Sequence, residues 1–300
     1  MPSDKRPSPE KIAGAAQLAC LLEASSYPKP GNVSPFRGYA DLTFPDFLAG
    51  AVAIGPAVEA AARAGARGGR VPLGRLLLKA ARDTLAYGVG GNVNAGIILL
   101  LIPLAAAYAR AKGDEAKLAD ATRQILSLST PEDSVGFYRA LRALRPKLPK
   151  VKRLDVFDAK SDAELRRQGI NFKRVLEISH DEVAREVLRG FPISRAGARV
   201  FRRALKQSRD IHRASAQTFL WILARHADGL IEKKVGRKGA EWVSRKAREV
   251  MALGGALTPA GYAAAKRLDD RLFSLGQDYN PGSTADLTCS SIFLALAERL

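Results

Sequence analysis

Between Gly88 and Gly96 the chain places Gly88, Gly90, Gly91, Asn92, Asn94 and Gly96 directly before an uncharged run from Ile97 to Ala107. Glycine lets a backbone turn sharply and approach a partner closely. Asn92 or Asn94 can cap the helix that the apolar run predicts. The first turn of such a helix offers unpaired N–H groups and a partial positive charge, which together suit a phosphate. Taken alone, the same stretch is also an ordinary Gly-rich turn before a core helix.

Two further stretches share this character. In Pro28-Lys29-Pro30-Gly31-Asn32 a cationic side chain sits between two prolines that restrict its backbone, and Gly31 frees the chain again. Ser34, Arg37 and Asp41 follow, so the segment reads either as a helix-ending turn or as a binding loop. Near the C-terminal end, Asn280-Pro281-Gly282-Ser283-Thr284 leads into an apolar helix. Ser283 or Thr284 is its expected N-cap, and Asp286 falls in its first turn, as a well-capped helix requires. Thr130, Pro131, Glu132 and Asp133 form another helix start of the same type. Asp181 and Arg185 are spaced as a surface ion pair on one helical face.

The elements that must position these loops are helical. Apolar spacing predicts helices over 11–23, 45–64 (divided at Pro56), 73–86, 97–107, 116–128, 196–227, 240–253 and 259–275, with a shorter one from Asp181 that ends at Gly190. Residues 145–174 are the least regular, with one short strand predicted at 151–157, and Asp228 to Gly236 reads as a charged break. Period-two alternation is nearly absent, so the fold class is all-α, a single-domain helical bundle over residues 11–300 behind a disordered N-terminus at 1–10.

Composition narrows the function classes. There are 48 Lys and Arg against 30 Asp and Glu, a formal charge of +18, which favours anionic partners: nucleic acid, an anionic membrane surface or a polyphosphorylated small molecule. Two cysteines, Cys20 and Cys289, cannot make a disulfide framework, and with only His180, His212 and His226 no Cys/His metal cluster is in view. Carboxylate-held Mg²⁺ stays open. The first eleven residues lack the apolar stretch of a signal peptide, and the apolar run at 95–109 is too short for a bilayer. The expectation is a cytoplasmic protein with no membrane association; a homodimer is compatible with the sequence.

Taken in order, Pro28-Lys-Pro-Gly31, Gly91-Asn-Val-Asn-Ala-Gly96 before an apolar helix, and Pro281-Gly-Ser-Thr-Ala-Asp-Leu287 before the last helix resemble the triphosphoribosyl-dephospho-CoA synthase family. Gly190-Phe-Pro192 after a helix carrying Asp181 and Glu186, and the segment from Asp228 to Gly236, add weaker matches. Better-known bacterial members read Asn-Thr-His-Lys-Gly in the central loop. This chain has Asn92-Val-Asn-Ala-Gly96, which looks like the archaeal-type branch. The resemblance implies an all-helical transferase that joins ATP to dephospho-CoA or a related nucleotide, expels adenine and leaves a triphosphoribosyl group on an acceptor hydroxyl.

It also implies roles. Breaking the ribose–adenine bond develops positive charge on the sugar, which a carboxylate can stabilise. Asp41 and Asp181 are the candidates for base or ribose contact. Asp228 and Asp286 are the candidates for organising Mg²⁺ and the triphosphate. Lys29 and Lys234 would neutralise phosphate, while Gly31, Asn32, Asn92, Asn94 and Ser283 would hydrogen-bond phosphate or ribose. ATP is then a substrate rather than a cofactor. The competing readings are a basic helical protein that binds nucleic acid, although no nucleic-acid module is recognisable, and a nucleotide-binding protein without turnover.

Overall fold

A computed structural model describes residues 7–87, 94–146, 151, 153–179 and 181–299. Among them the chain is all-α. Fifteen helices run α1 (Pro9–Ser25), α2 (Phe44–Ala53), α3 (Gly55–Ala66), α4 (Leu73–Ala86), α5 (Ala95–Arg110), α6 (Leu118–Ser127), α7 (Pro131–Leu144), α8 (Lys160–Arg167), α9 (Phe172–Ile178), α10 (Glu182–Leu188), α11 (Pro192–Ser208), α12 (Ile211–Arg225), α13 (Gly229–Ala252), α14 (Pro259–Leu275) and α15 (Gly282–Ala297). The only extended pairings in the described part are isolated bridges, Ser34 with Arg37 and Tyr39 with Leu42.

Several boundaries differ from the sequence expectation. The expected disordered N-terminus lies outside the described residues over 1–6, but Pro9 and Glu10 are already helical. The strand expected at 151–157 is a turn, in which the Asp155 carboxylate accepts from the N–H groups of Val151 and Phe157 at 3.0 and 2.8 Å. The irregular region holds α8 and α9, both short. The helix expected over 196–227 is two, broken where Arg209 takes a φ of +54° and Asp210 caps α12 through the N–H groups of His212 and Arg213. The break expected over Asp228 to Gly236 is confined to its end: Asp228 caps a short helical stretch, and the backbone leaves helical geometry at Gly236, φ +81°, where α13 kinks.

The chain forms two compact units, each assembled from separated stretches: residues 1–17, 49–192 and 296–300 in unit 1, and 18–48 with 193–295 in unit 2. Unit 1 is built on α5, which is buried from Ile97 to Ala109. A helix apolar all round must be enclosed, and α3, α4, α6 and α10 enclose it. Helix α4 crosses α7 so closely that a Cβ on Gly74 would lie 2.5 Å from the Asp133 backbone, and one on Gly136 equally close to Gly74. The Asp133 carboxylate spans this crossing: it accepts from the Gly74 N–H at 3.0 Å and from Arg70 at 3.0 Å, and it closes a capping box with Thr130.

Unit 2 has its own core, in which Phe219, Leu220 and Leu223 of α12 meet Ile231, Val243 and Ala247 of α13 and Leu268 and Leu272 of α14. Each of these side chains larger than alanine contributes about 1.5–3 kcal/mol by leaving water. Among the described residues one 23-residue stretch, Phe44–Ala66, is long and apolar enough to cross a membrane, and half of its most apolar window is buried in the fold.

Candidate functional site

In unit 2 the loop after α1 and the start of α15 are fastened together. The Asn32 side-chain amide donates to the Asn280 side-chain oxygen at 2.8 Å, across 248 residues of sequence. The Gly31 N–H donates to Asp269 Oδ1 on α14 at 2.9 Å, and the Tyr39 hydroxyl donates to the Gly31 carbonyl at 2.8 Å. Gly31 is required there: its φ is +74°, and a Cβ would come 2.9 Å from Leu272 Cβ and 3.0 Å from the Tyr279 carbonyl oxygen.

Lys29 is not a free surface cation. It is buried, and its Nζ lies 2.6 Å from Oε1 of the equally buried Glu23, near the end of α1. Burial pushes the lysine down and the glutamate up, while their mutual attraction opposes both shifts. In this geometry the pair anchors the loop from inside.

Asp228 holds the α13 start to the α15 start. Its Oδ1 accepts from the N–H groups of Leu230 and Ile231 at 2.9 and 3.1 Å, and its Oδ2 accepts from the N–H and hydroxyl of Thr284 at 2.7 and 2.8 Å. Burial raises its carboxyl and these donors pull the other way. Both oxygens are committed, so a cation at Asp228 would have to displace donors already in place. Ser283 and Thr284, expected as the cap of α15, lie inside its first turn, which starts at Gly282. Ser283 is buried, and Asp286 is half-buried one turn into the helix.

Gln277 links two other expected residues. Its side chain donates to Asp41 Oδ1 at 2.7 Å, and its carbonyl accepts from Lys234 Nζ at 3.2 Å. Eight of the eleven expected residues (Lys29, Gly31, Asn32, Asp41, Asp228, Lys234, Ser283 and Asp286) therefore belong to unit 2. Asn94 and Asp181 belong to unit 1. Asn94 occupies the N-cap position of α5; it is 2% exposed, and its side-chain nitrogen lies against Gly50 with no hydrogen-bond partner among the described residues. Asp181 caps α10, accepting from Val183 and Ala184 at 2.9 and 3.3 Å. Asn92 and the central loop from Gly88 to Val93 lie outside the described residues.

The sequence reading missed Asp269. It is 1% exposed, and its second oxygen makes no hydrogen bond among the described residues and lies 3.5 Å from the Arg37 guanidinium. Burial pushes its carboxyl up to about 6, against the pull of the Gly31 N–H and Arg37. A signal was present: Asp269 lies four residues after Ala265 and three before Leu272, on the buried face of α14. An acid on a core stripe calls for a partner or a task. Beside it, Arg37 also pairs with Asp270 and lies over the Phe273 ring. Phe36, 72% exposed, meets Tyr27 edge to face at 5.0 Å. Among the described residues no group of three or more His, Cys, Asp or Glu side chains converges as a metal site.

The sequence model of the family described as ATP:dephospho-CoA triphosphoribosyl transferase matches residues 9–300. A Klebsiella pneumoniae 2-(5″-triphosphoribosyl)-3′-dephosphocoenzyme-A synthase is 25% identical over 300 residues, 96% of this chain and 91% of that protein. A Salmonella typhimurium protein named a "probable 2-(5″-triphosphoribosyl)-3′-dephosphocoenzyme-A synthase 1" is 27% identical over 297 residues, 95% of this chain and 90% of its own. Among solved structures, a chain from Archaeoglobus fulgidus assigned as a triphosphoribosyl-dephospho-CoA synthase superposes with a TM-score of 0.64 at 29% identity, covering 84% of this chain and 98% of that one.

Proposed function

The chain belongs to the ATP:dephospho-CoA triphosphoribosyl transferase family, and from that membership we propose that it moves the triphosphoribosyl part of ATP onto a hydroxyl of dephospho-CoA or a related nucleotide, releasing adenine. The observation that carries the reading is the fastening of the Pro28–Asn32 loop to the Asn280–Thr284 turn through Asn32–Asn280, with Gly31 held on Asp269. Two stretches that carry the family likeness, far apart in sequence, are joined in one largely buried polar network, with Arg37 and Asp41 of the same segment exposed or half-exposed beside it.

Separation of adenine from ribose leaves positive charge on the sugar, so the reaction needs a carboxylate near that carbon and a base for the acceptor hydroxyl. Asp41, in unit 2, is our candidate for one of these tasks; Asp181, in unit 1, is a candidate on the family likeness alone. Asp41 is exposed and oriented by Gln277. Asp269 acts as a positioning residue, because its charge governs how firmly Gly31 and Arg37 are held. Lys234 is our candidate donor for phosphate; Asn32, Asn94 and Ser283, all buried, and Asn92 are assigned to phosphate or ribose on the family likeness alone. The exposed ring of Phe36 offers adenine a face to stack on.

Mg²⁺ binds through one or two carboxylates together with substrate phosphates and water, so it does not need a three-acid cluster. Asp286 is the residue that would hold it, and the ion would neutralise triphosphate charge there. Water-soluble nucleotide reactants favour a cytoplasmic setting.

The test is to incubate the pure protein with ATP, Mg²⁺ and dephospho-CoA, and with related nucleotides in parallel, and to follow free adenine by chromatography and the acceptor by mass. Stoichiometric adenine and an acceptor heavier by the triphosphoribosyl group are expected. No adenine with any acceptor, together with no ATP binding, overturns the reading. The loop sequence Asn92-Val-Asn-Ala, without the histidine and lysine of bacterial members, favours a second reading, a nucleotide-binding protein without turnover. ATP binding with no product under any condition would select it.

A further inference from the structure

Unit 1 contains a cavity of about 520 Å³ between the C-terminal part of α3 and the start of α4. Its volume lies within the range of small-molecule sites. Four arginines line it, Arg63, Arg67, Arg70 and Arg75, with Glu59 as the one acid. The rest of the lining is proline, alanine, glycine and leucine, with no aromatic ring.

The four arginines are not equivalent. Arg63 is held at 2.6 Å by both Glu59 and Glu10. Arg70 is held by Thr130 at 2.9 Å and by the buried Asp133 at 3.0 Å. Arg67 and Arg75 are exposed and make no ion pair among the described residues. Two guanidinium groups are thus fixed in the wall and two remain available, around one concavity.

From this arrangement we propose that the cavity is a binding site for a small polyphosphate anion, engaged by Arg67 and Arg75. Guanidinium groups match phosphate oxygens two at a time and stay charged at all working pH values. With Arg63 and Arg70 already paired, two guanidinium groups lack a counter-charge; a monoanion can pair with one of them, whereas linked phosphates engage both at once. The absence of an aromatic wall removes the stacking surface that a base or single-stranded nucleic acid would use. The ligand recognised is therefore the phosphate chain. Nothing in this proposal depends on the transferase reading.

The experiment is calorimetric titration of the full chain with sodium tripolyphosphate at moderate salt, with orthophosphate as the comparison. Saturable binding of tripolyphosphate at one site is expected, much tighter than orthophosphate. The variant R67Q/R75Q keeps the aliphatic stems and is checked for its fold by circular dichroism. It should weaken tripolyphosphate by about tenfold or more, since it removes two charge-assisted contacts. R82Q, an exposed change on α4 outside the cavity lining, should leave affinity unchanged. No saturable binding, unchanged affinity in R67Q/R75Q, or an equal loss in R82Q each overturn the proposal; the last means diffuse surface charge. The readout is binding without adenine release, so its failure and that of the transferase reading are separately visible.

Discussion

Two buried charges in unit 2 behave in opposite ways when altered. Replacing Lys29 by Met leaves Glu23 buried without its cation, and unfolding by denaturant should show a loss of about 3–5 kcal/mol. Replacing Glu23 by Leu in the same protein should recover most of that loss, because the uncompensated charge is then gone. For Asp269 the sign follows from its carboxyl at about 6 in the fold against about 4 in an unfolded chain. The folded state holds the proton more tightly. Its stabilising contribution is therefore complete below about pH 4 and is lost as pH rises through about 6, by up to about 3 kcal/mol. Asp269→Asn should remove this slope from the pH–stability curve and erase any inflection near 6 from the pH–rate curve. An unchanged slope in the variant would show that Asp269 does not titrate as described.

At the scale of elements, the crossing of α4 on α7 and the joint between α13 and α15 are the sensitive places. Gly136→Ala puts a methyl group against the Gly74 backbone, and neither chain can yield without moving a helix. A loss of about 3 kcal/mol or more is expected in thermal or denaturant unfolding. Asp228→Ala removes two cap bonds and both bonds to Thr284, so a loss of about 2–4 kcal/mol is expected. Thr284→Val should cost less, since its N–H still reaches the carboxylate. Helix type and placement were legible in the sequence because amphipathic stripes repeat over many residues: α4 and α14 run where the spacing puts them. The breaks were not. A single Arg209 in left-handed geometry divides α11 from α12, and no composition signal marks it. Asp228 read as part of a charged break because a helix N-terminus and a loop use the same residue types. Motif loops located eight of the expected site residues in unit 2, but their bonding was hidden, since Lys29 and Asp228 are turned inward by partners distant in sequence or in another element.

Across the whole molecule, the formal charge of +18 governs how the surface responds to its solvent. Such a surface repels itself, so the melting temperature should rise as NaCl goes from about 10 to about 300 mM, where the screening length shrinks several-fold. A flat or falling response would mean that ion pairs already balance the surface. The second global feature is the threading of the units. Helix α1 begins in unit 1 and ends in unit 2, and residues from Leu296 onward belong to unit 1 although all of unit 2 precedes them. During synthesis, unit 1 can collapse around α5 early but lacks its last segment until residue 296 has cleared the ribosome. Unit 2 can finish sooner, although its first strip, from Leu18, has to wait through most of unit 1. No contiguous gene fragment encodes either unit whole. Neither unit can therefore be cut out or exchanged as one contiguous cassette.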